Sequence, residues 1–244
     1  MVIVNKVMCW CSLMALKFKK RSSVIATYIL ITIILLASYY LIALYAFALT
    51  HTLIITSIIV SLYIISPAYV SNGFAVLFGR NGHPIDGGHN FFDNNRILGD
   101  GKTIEGFIGG TASGFIIGYS LYFIVTNIIL PSLIENQTYL NLLQQQSFLD
   151  TLSSISYLTI FVLSIGALLG DLMGSFLKRR LKLDRGEPVL FLDQLDFVLG
   201  ALILGFFFMK FNLLIFLTIT FITPAIHFIS NVIANLLHLK KEPW

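Results

Sequence analysis

Long apolar runs alternate with short polar ones along this chain. Six uninterrupted or nearly uninterrupted apolar stretches occur, at 24–49, 52–78, 105–130, 157–176, 189–209 and 211–237. A helix needs about 20 apolar residues to cross the hydrocarbon core of a bilayer. Lipid offers no partner to an unpaired backbone amide, so such spans are helical. The pattern therefore predicts an all-α integral membrane protein with six transmembrane helices. The fifth stretch is the least regular, because Asp193 and Asp196 interrupt it. The first is about 26 residues long, too long for the core of a signal peptide, and reads as a retained span.

Composition agrees with this picture. Of 244 residues, 57% are hydrophobic and 11% charged, against about a quarter charged in a soluble domain. The two cysteines, Cys9 and Cys11, flank Trp10. Cys-x-Cys without a second ligand pair is a weak metal signal, and both read as ordinary residues of the N-terminal segment.

Charge adds an orientation. Lys6, Lys17, Lys19, Lys20 and Arg21 precede span one; Arg80, Arg96 and Lys102 lie between spans two and three. Lys178, Arg179, Arg180, Lys182 and Arg185 lie between spans four and five, and Lys240 and Lys241 follow span six. With six spans all of these fall on one side, and only Lys210 falls on the other. The positive-inside rule then predicts that both termini and both charged loops are cytoplasmic.

Those loops are where chemistry can reside. The first, at 79–104, is rich in glycine and ends in "GDGKT". Glycine lets backbone N–H groups approach phosphate closely. A phosphate-binding loop of the Walker type needs glycine five residues before the Gly-Lys-Thr, where Arg96 stands, and a βαβ unit for which the chain has no room. The segment instead reads as a Gly-rich turn entering span three, with Thr103 as helix cap and Glu105 and Gly106 in the first turn. A helix N-terminus is itself an anion site. The plainer alternative is a flexible loop whose threonine caps a helix.

The second loop follows span four directly with Lys178, Arg179 and Arg180. Three basic residues are explained by orientation and anionic lipid alone. The acids are not: Asp171 lies inside span four, and Asp193 and Asp196 at the start of span five. A carboxylate within a span costs at least ~2.5 kcal/mol on insertion scales, which makes it a functional candidate. Asp193 and Asp196 share a helix face, as do Asp171 and Ser175. Carboxylates meeting near the ends of two spans suit Mg²⁺, which takes one or two carboxylates, waters and phosphate oxygens. Pairing with the basic cluster is the alternative role.

Glycines recur every four residues in span three (Gly106, Gly110, Gly114, Gly118) and span four (Gly166, Gly170, Gly174). Such ridges let helices pack closely, within one chain or between chains, so oligomeric state stays open. If the two ridges face each other, the "GDGKT" turn meets Asp171. His51, His227 and His238 are isolated in or near spans and read as structural or interface residues.

From the residues alone the site takes Mg²⁺ and a polyphosphate at the edge of a bilayer. "SFLKRRLKLDRGEPVLFLDQLD", Ser175 to Asp196, resembles the signature region of the membrane cytidylyltransferases. In phosphatidate cytidylyltransferases that region opens Ser-x-x-Lys-Arg and closes Asp-Arg-x-Asp. Ser175, Lys178, Arg179, Asp193 and Asp196 match, Gln194 replaces the arginine, and the His-Gly-Gly before the acids is absent. These departures fit the archaeal branch. "PAYVSN" (67–72), "HPIDG" (83–87), "RILGDGKTIEG" (96–106), "GDLMGSFLKRR" (170–180) and "LDQLDF" (192–197) together resemble the CDP-archaeol synthase family, over roughly 52–238. His89 and Asn90 stand where that family tends to carry basic residues.

The resemblance implies a five-span core with span one as an extra. It divides the chain into an extension, 1–50, and a transmembrane cytidylyltransferase domain, 51–244, with cytoplasmic loops 79–104 and 177–195. It also implies a reaction: CMP passes from CTP to the phosphate of 2,3-bis-O-geranylgeranyl-sn-glycerol 1-phosphate, releasing pyrophosphate. By resemblance and position, Asp171, Asp193 and Asp196 would hold Mg²⁺. Asn72, Gly99, Asp100, Gly101, Lys102, Thr103 and Glu105 would bind the nucleotide, and Lys178 and Arg179 the lipid phosphate or pyrophosphate. Expected partners are CTP, an isoprenoid lipid phosphate and the bilayer, with no nucleic acid. A CTP-dependent polyprenol kinase would use a similar site, and a transporter would also carry intramembrane acids, nearer the midplane.

Overall fold

The computed structural model of the chain describes residues 21–45, 47, 49–144, 147–183, 189, 191–210 and 212–238. The readings made above on Cys9, Cys11, the first four lysines, Arg185, Lys240 and Lys241 lie outside the described residues.

The described elements are helices, with two isolated β-bridges, Pro84–Thr103 and Asn90–Arg96. In chain order they are α1 (Arg21–Tyr45), α2 (His51–Phe78), α3 (Ile104–Ile124), α4 (Leu130–Glu135), α5 (Gln137–Gln144), α6 (Phe148–Ser153), α7 (Tyr157–Arg180), α8 (Leu192–Gly205) and α9 (Leu213–Leu236). A π-helical turn, Val125–Ile129, joins α3 to α4. Polar caps set the helix starts: Thr50 accepts from the Leu53 amide, Ser156 and Thr159 form a reciprocal box, and Asn212 accepts from Leu214 and Ile215.

Five helical segments are long and apolar enough to cross a membrane: Val24–Tyr45, His51–Phe78, Ile104–Glu135, Tyr157–Arg180 and Leu213–Leu236. The stretch expected to be the fifth of six spans is shorter than its apolar run. It forms α8, of 14 residues, which is about 21 Å against the ~30 Å of hydrocarbon. Phe191, at φ 66°, opens the helix, and tight turns over Phe206–Phe208 close it. α8 runs antiparallel to α7. Asp193 pairs with Lys178 at one end, and the Phe208 carbonyl accepts from Thr159 Oγ1 at the other, 3.0 Å away.

The two glycine ridges, whose meeting the sequence left as a condition, do not face each other. The α3 ridge lies against α2 and α7: a Cβ on Gly114 would stand 1.9 Å from Ser71 Oγ and 2.9 Å from Ser164 Oγ. The α7 ridge lies against α8: a Cβ on Gly174 would stand 2.1 Å from Asp196 Oδ2. α7 is the central helix, and its two faces serve different neighbours, so each ridge found its own partner helix.

α1 is tied to the rest by hydrogen bonds between helices. The Tyr39 hydroxyl meets Ser57 Oγ of α2 at 2.7 Å and accepts from Thr218 Oγ1 of α9 at 3.0 Å. Tyr28 stacks on Phe228, with ring centroids 5.7 Å apart. His51 meets the Tyr40 hydroxyl at 3.2 Å, and His227 packs on Phe197. These two histidines join helices, as read from the sequence; His238 adopts a left-handed φ of 56° just past α9.

Candidate active site

The 79–103 loop is organised around one acid. Asp86 is buried and accepts from Arg96 Nη2 at 2.7 Å and Nε at 3.3 Å. It also accepts from the amides of Gly99 at 2.9 Å, Leu98 at 3.0 Å and Gly88 at 3.1 Å. Burial alone would raise its pKa, but the Arg96 guanidinium and the three amides outweigh burial and hold the carboxyl well below its ordinary 3.8. Arg96 extends the chain of charge to Asp100, 2.8 Å from Nη1. One buried carboxylate thus fixes the "GDGKT" turn from behind. Gly99, at φ +99°, takes a backbone conformation that suits glycine.

The loop closes onto α3 through Thr103. Its side chain caps the helix by accepting from the Gly106 amide at 3.2 Å. Glu105 turns outward: it takes the His83 amide at 2.7 Å and the ring Nδ1 at 2.6 Å, and these bonds hold the exposed imidazole above its ordinary 6.5.

The C-terminal end of α7 supplies the opposite wall. Arg180 donates to the carbonyls of Arg96 at 2.6 Å and Asn95 at 3.3 Å, and pairs with Asp93 at 3.1 Å. Its guanidinium lies over the rings of both Phe91 and Phe176, 4.7 and 4.9 Å from their centroids. This arginine clamps the loop to the helix. Beside it, Arg179 Nη1 donates to the Leu183 carbonyl at 2.5 Å.

Between the two walls is a cleft of about 440 Å³, within the usual range for a small-molecule site. Its loop side consists of Asn95, Arg96, Leu98, Gly99, Asp100, Gly101 and Lys102; its helix side of Ser175, Lys178, Arg179, Lys182 and Leu183. Five cations and one carboxylate line it, which suits a polyanion.

The acids of α7 and α8 stand behind this cationic wall. Lys102 Nζ lies 2.5 Å from Asp171 Oδ2, and Lys178 pairs with Asp193. Asp193 Oδ2 also accepts from the Val189 amide at 3.1 Å. Asp196 lies one turn along α8, pressed against Gly174, and the charges acting on it are those of Asp171, Lys102 and Asp193.

Of the residues singled out from the sequence, Gly99, Asp100, Gly101, Lys102, Lys178 and Arg179 line the cleft. Asp171 and Asp193 are one contact away from it. Thr103 is buried as a cap, Glu105 faces His83, and Asn72 is half-buried in α2, outside the cleft lining. Asp86, Arg96 and Arg180 were not singled out. Their signal was faint: one acid and one arginine within a Gly-rich loop, and one more residue in a basic run.

The donor chemistry fits Mg²⁺ in one form. Among the described residues no three Asp, Glu, His or Cys side chains converge on a point. Mg²⁺ needs fewer, keeping waters and taking substrate phosphate oxygens beside one or two carboxylates. Two of the acids, Asp171 and Asp193, are paired with lysines here.

Fold and cleft define a class: an all-helical membrane protein with a cation-lined cleft at one end of its bundle. Comparison with known proteins gives the family. Residues 52–244 match the family model "CarS-like: CDP-archaeol synthase". CDP-archaeol synthase of Pyrobaculum islandicum is 43% identical over 180 residues, covering 73% of this chain and 93% of the relative. That of Methanococcoides burtonii is 41% identical over 184 residues, covering 73% and 99%. A solved structure of an intramembrane enzyme for archaeal membrane lipid biosynthesis superposes with a TM-score of 0.55 at 30% identity, over 70% of this chain and 92% of that one. The chain belongs to the CDP-archaeol synthase family, a family of CTP-dependent cytidylyltransferases.

Proposed function

We propose that the cleft is where CMP passes from CTP to the phosphate of 2,3-bis-O-geranylgeranyl-sn-glycerol 1-phosphate, giving unsaturated CDP-archaeol and pyrophosphate. A lipid phosphate oxygen attacks the α-phosphorus, a new P–O–P bridge forms, and the α–β bridge breaks with its electrons leaving on pyrophosphate. Little covalent chemistry falls to the protein in such a transfer; positioning and charge stabilisation do most of the work. Lys102, Arg96 and the amides of Asp100 and Gly101 bind the CTP phosphates. Lys178 and Arg179 bind the lipid phosphate and the departing pyrophosphate. Mg²⁺ held by one or two of Asp171, Asp193 and Asp196, with waters and phosphate oxygens completing its shell, would neutralise charge on the phosphates. Lys102 and Lys178 then turn from their carboxylates to phosphate oxygens. The isoprenoid chains lie along the apolar helices, in lipid.

The observation that carries this reading is the contact between Lys102 and Asp171, which brings the Gly-rich turn onto an intramembrane acid. Family membership favours nucleotidyl transfer over kinase or transporter chemistry. Purified protein, Mg²⁺, radiolabelled CTP and a panel of lipid phosphates test it, with the isoprenoid glycerol phosphate expected to yield the labelled lipid.

The same reading includes a topology. α8 with its closing turn matches α7 from Lys178 to Thr159, about 28 Å of helix, which supports a sixth crossing. Six crossings with the basic residues inside put both termini and the cleft in the cytoplasm, where CTP is. The extension is 1–50 and the catalytic domain 51–244, consistent with a family match that begins at residue 52.

A further inference from the structure

The cytoplasmic-loop segment 89–97 forms a small hairpin whose tip carries an unusual residue. The Phe91 amide donates to the Asn95 carbonyl at 2.8 Å, the Ile97 amide to the His89 carbonyl at 3.2 Å, and Asn94 takes a left-handed φ of 62° at the turn. Everything about this tip is polar except its two rings. Phe92 is 96% exposed, and Phe91, 38% exposed, packs edge-on against it at 4.9 Å.

A single exposed apolar residue needs no explanation by itself. The surface beside this one does. Phe91 also packs edge-on against Phe176 of α7, at 5.4 Å. Phe176 lies on the face of α7 that exposes Leu169, Met173 and Leu177, which in a membrane-crossing helix is a lipid-facing strip. Arg180 ends that strip, and basic residues at span ends reach for the headgroup level. The hairpin is fastened at this depth by Arg180, whose guanidinium lies over the Phe91 and Phe176 rings. The Phe92 ring therefore continues the bilayer-facing surface of α7, at the depth where aromatic side chains concentrate.

We propose that the 89–97 hairpin rests on the bilayer, with the Phe92 ring inserted between headgroups and hydrocarbon, and that this contact presents the lipid substrate's phosphate to the cleft. The second half of the proposal rests on the lipid-phosphate reading above. The geometry connects them directly: three and four residues beyond Phe92, Asn95 and Arg96 form part of the cleft wall. A lipid phosphate at headgroup level beside Phe92 is thus already beside the cations that would receive it, whereas CTP arrives from water and does not need the hairpin to touch lipid.

Two measurements on the full chain in lipid vesicles test this. First, Phe92→Trp is made in a background where Trp10 and Trp244 are replaced by Phe, so that emission reports one position. Quenching by lipids brominated near the headgroup end of their chains, with protection from aqueous iodide, is the expected result. Quenching by iodide with no effect of brominated lipid overturns bilayer insertion, whether or not the protein transfers CMP. Second, Phe92→Ser, a change at a fully exposed side chain, should raise KM for the lipid phosphate by about tenfold, the scale of a lost aromatic transfer, and leave KM for CTP unchanged. A rise in both constants, or in neither, overturns the delivery role.

Discussion

Lys102 Nζ, at the end of a Gly-rich loop, lies 2.5 Å from Asp171 Oδ2 inside α7, although 69 residues separate them. The pair joins the turn that resembles a phosphate loop to an acid within α7. Neither residue is more than a quarter exposed at its side chain. Removing one partner of such a pair leaves the other charge without compensation. Lys102→Ala should lower thermal stability by about 1–3 kcal/mol and turnover by at least ~100-fold. Asp171→Asn should lower turnover as much with a smaller loss of stability, since neutralising an intramembrane acid reduces its insertion cost. Melting curves and CTP turnover on both variants, and on the double variant, check this. Full turnover in either variant would remove the pair from the site.

Gly174 and Asp196 meet so closely that a methyl group has no room: a Cβ would stand 2.8 Å from the Asp196 Cβ and closer still to its carboxylate. Gly174→Ala must displace Asp196 or part α7 from α8. An overpacking cost of about 1–3 kcal/mol is expected, with turnover down more than tenfold. Gly73→Ala is the control, because nothing lies within 4 Å of its added Cβ. Turnover and melting temperature of that variant should match those of the unaltered protein.

Asp86 predicts a pH dependence. Its folded pKa lies below the ordinary 3.8, so its contribution to stability is complete above that value. It is lost as pH falls from about 4 through the folded pKa. Asp86→Asn removes the contribution at every pH. Protease protection of the 79–103 loop should therefore be several-fold weaker in Asp86→Asn than in the parent at pH 7, and the difference should shrink on acidification below about 4. A constant difference across that range would show that the charge of Asp86 is not what holds the loop.

Membrane topology can be read independently. Reporters placed after residues 90, 186 and 244 should register as cytoplasmic, and one at 140 as external. A cytoplasmic signal at 140, or an external one at 90 or 186, would contradict six crossings with the cleft inside.

Much of this was legible in the sequence, for physical reasons. Helix existence follows from apolar runs that only helices can satisfy in lipid, and Thr103 marks where α3 begins because its side chain accepts from a first free amide. The meeting of the "GDGKT" turn with Asp171 was also anticipated, though by the wrong route, since the two glycine ridges pack on different helices. The length of α8 was not legible: its apolar run continues through Phe206–Phe208, and hydropathy does not register the turn after Gly205. Asp86, Arg96 and Arg180 were not read as site residues because their roles lie in long-range partners. Asp86 reaches ten to thirteen residues along the loop, and Arg180 reaches back 84 residues to the Arg96 carbonyl.

The central claim is that the cleft transfers CMP rather than phosphate. Full-length protein in lipid vesicles is given Mg²⁺, 2,3-bis-O-geranylgeranyl-sn-glycerol 1-phosphate and CTP carrying label at either the α- or the γ-phosphorus. Nucleotidyl transfer predicts that the α-label enters the lipid and the γ-label leaves in pyrophosphate, with both lost in Asp171→Asn. Label from the γ-position in the lipid, with CDP released, would contradict it.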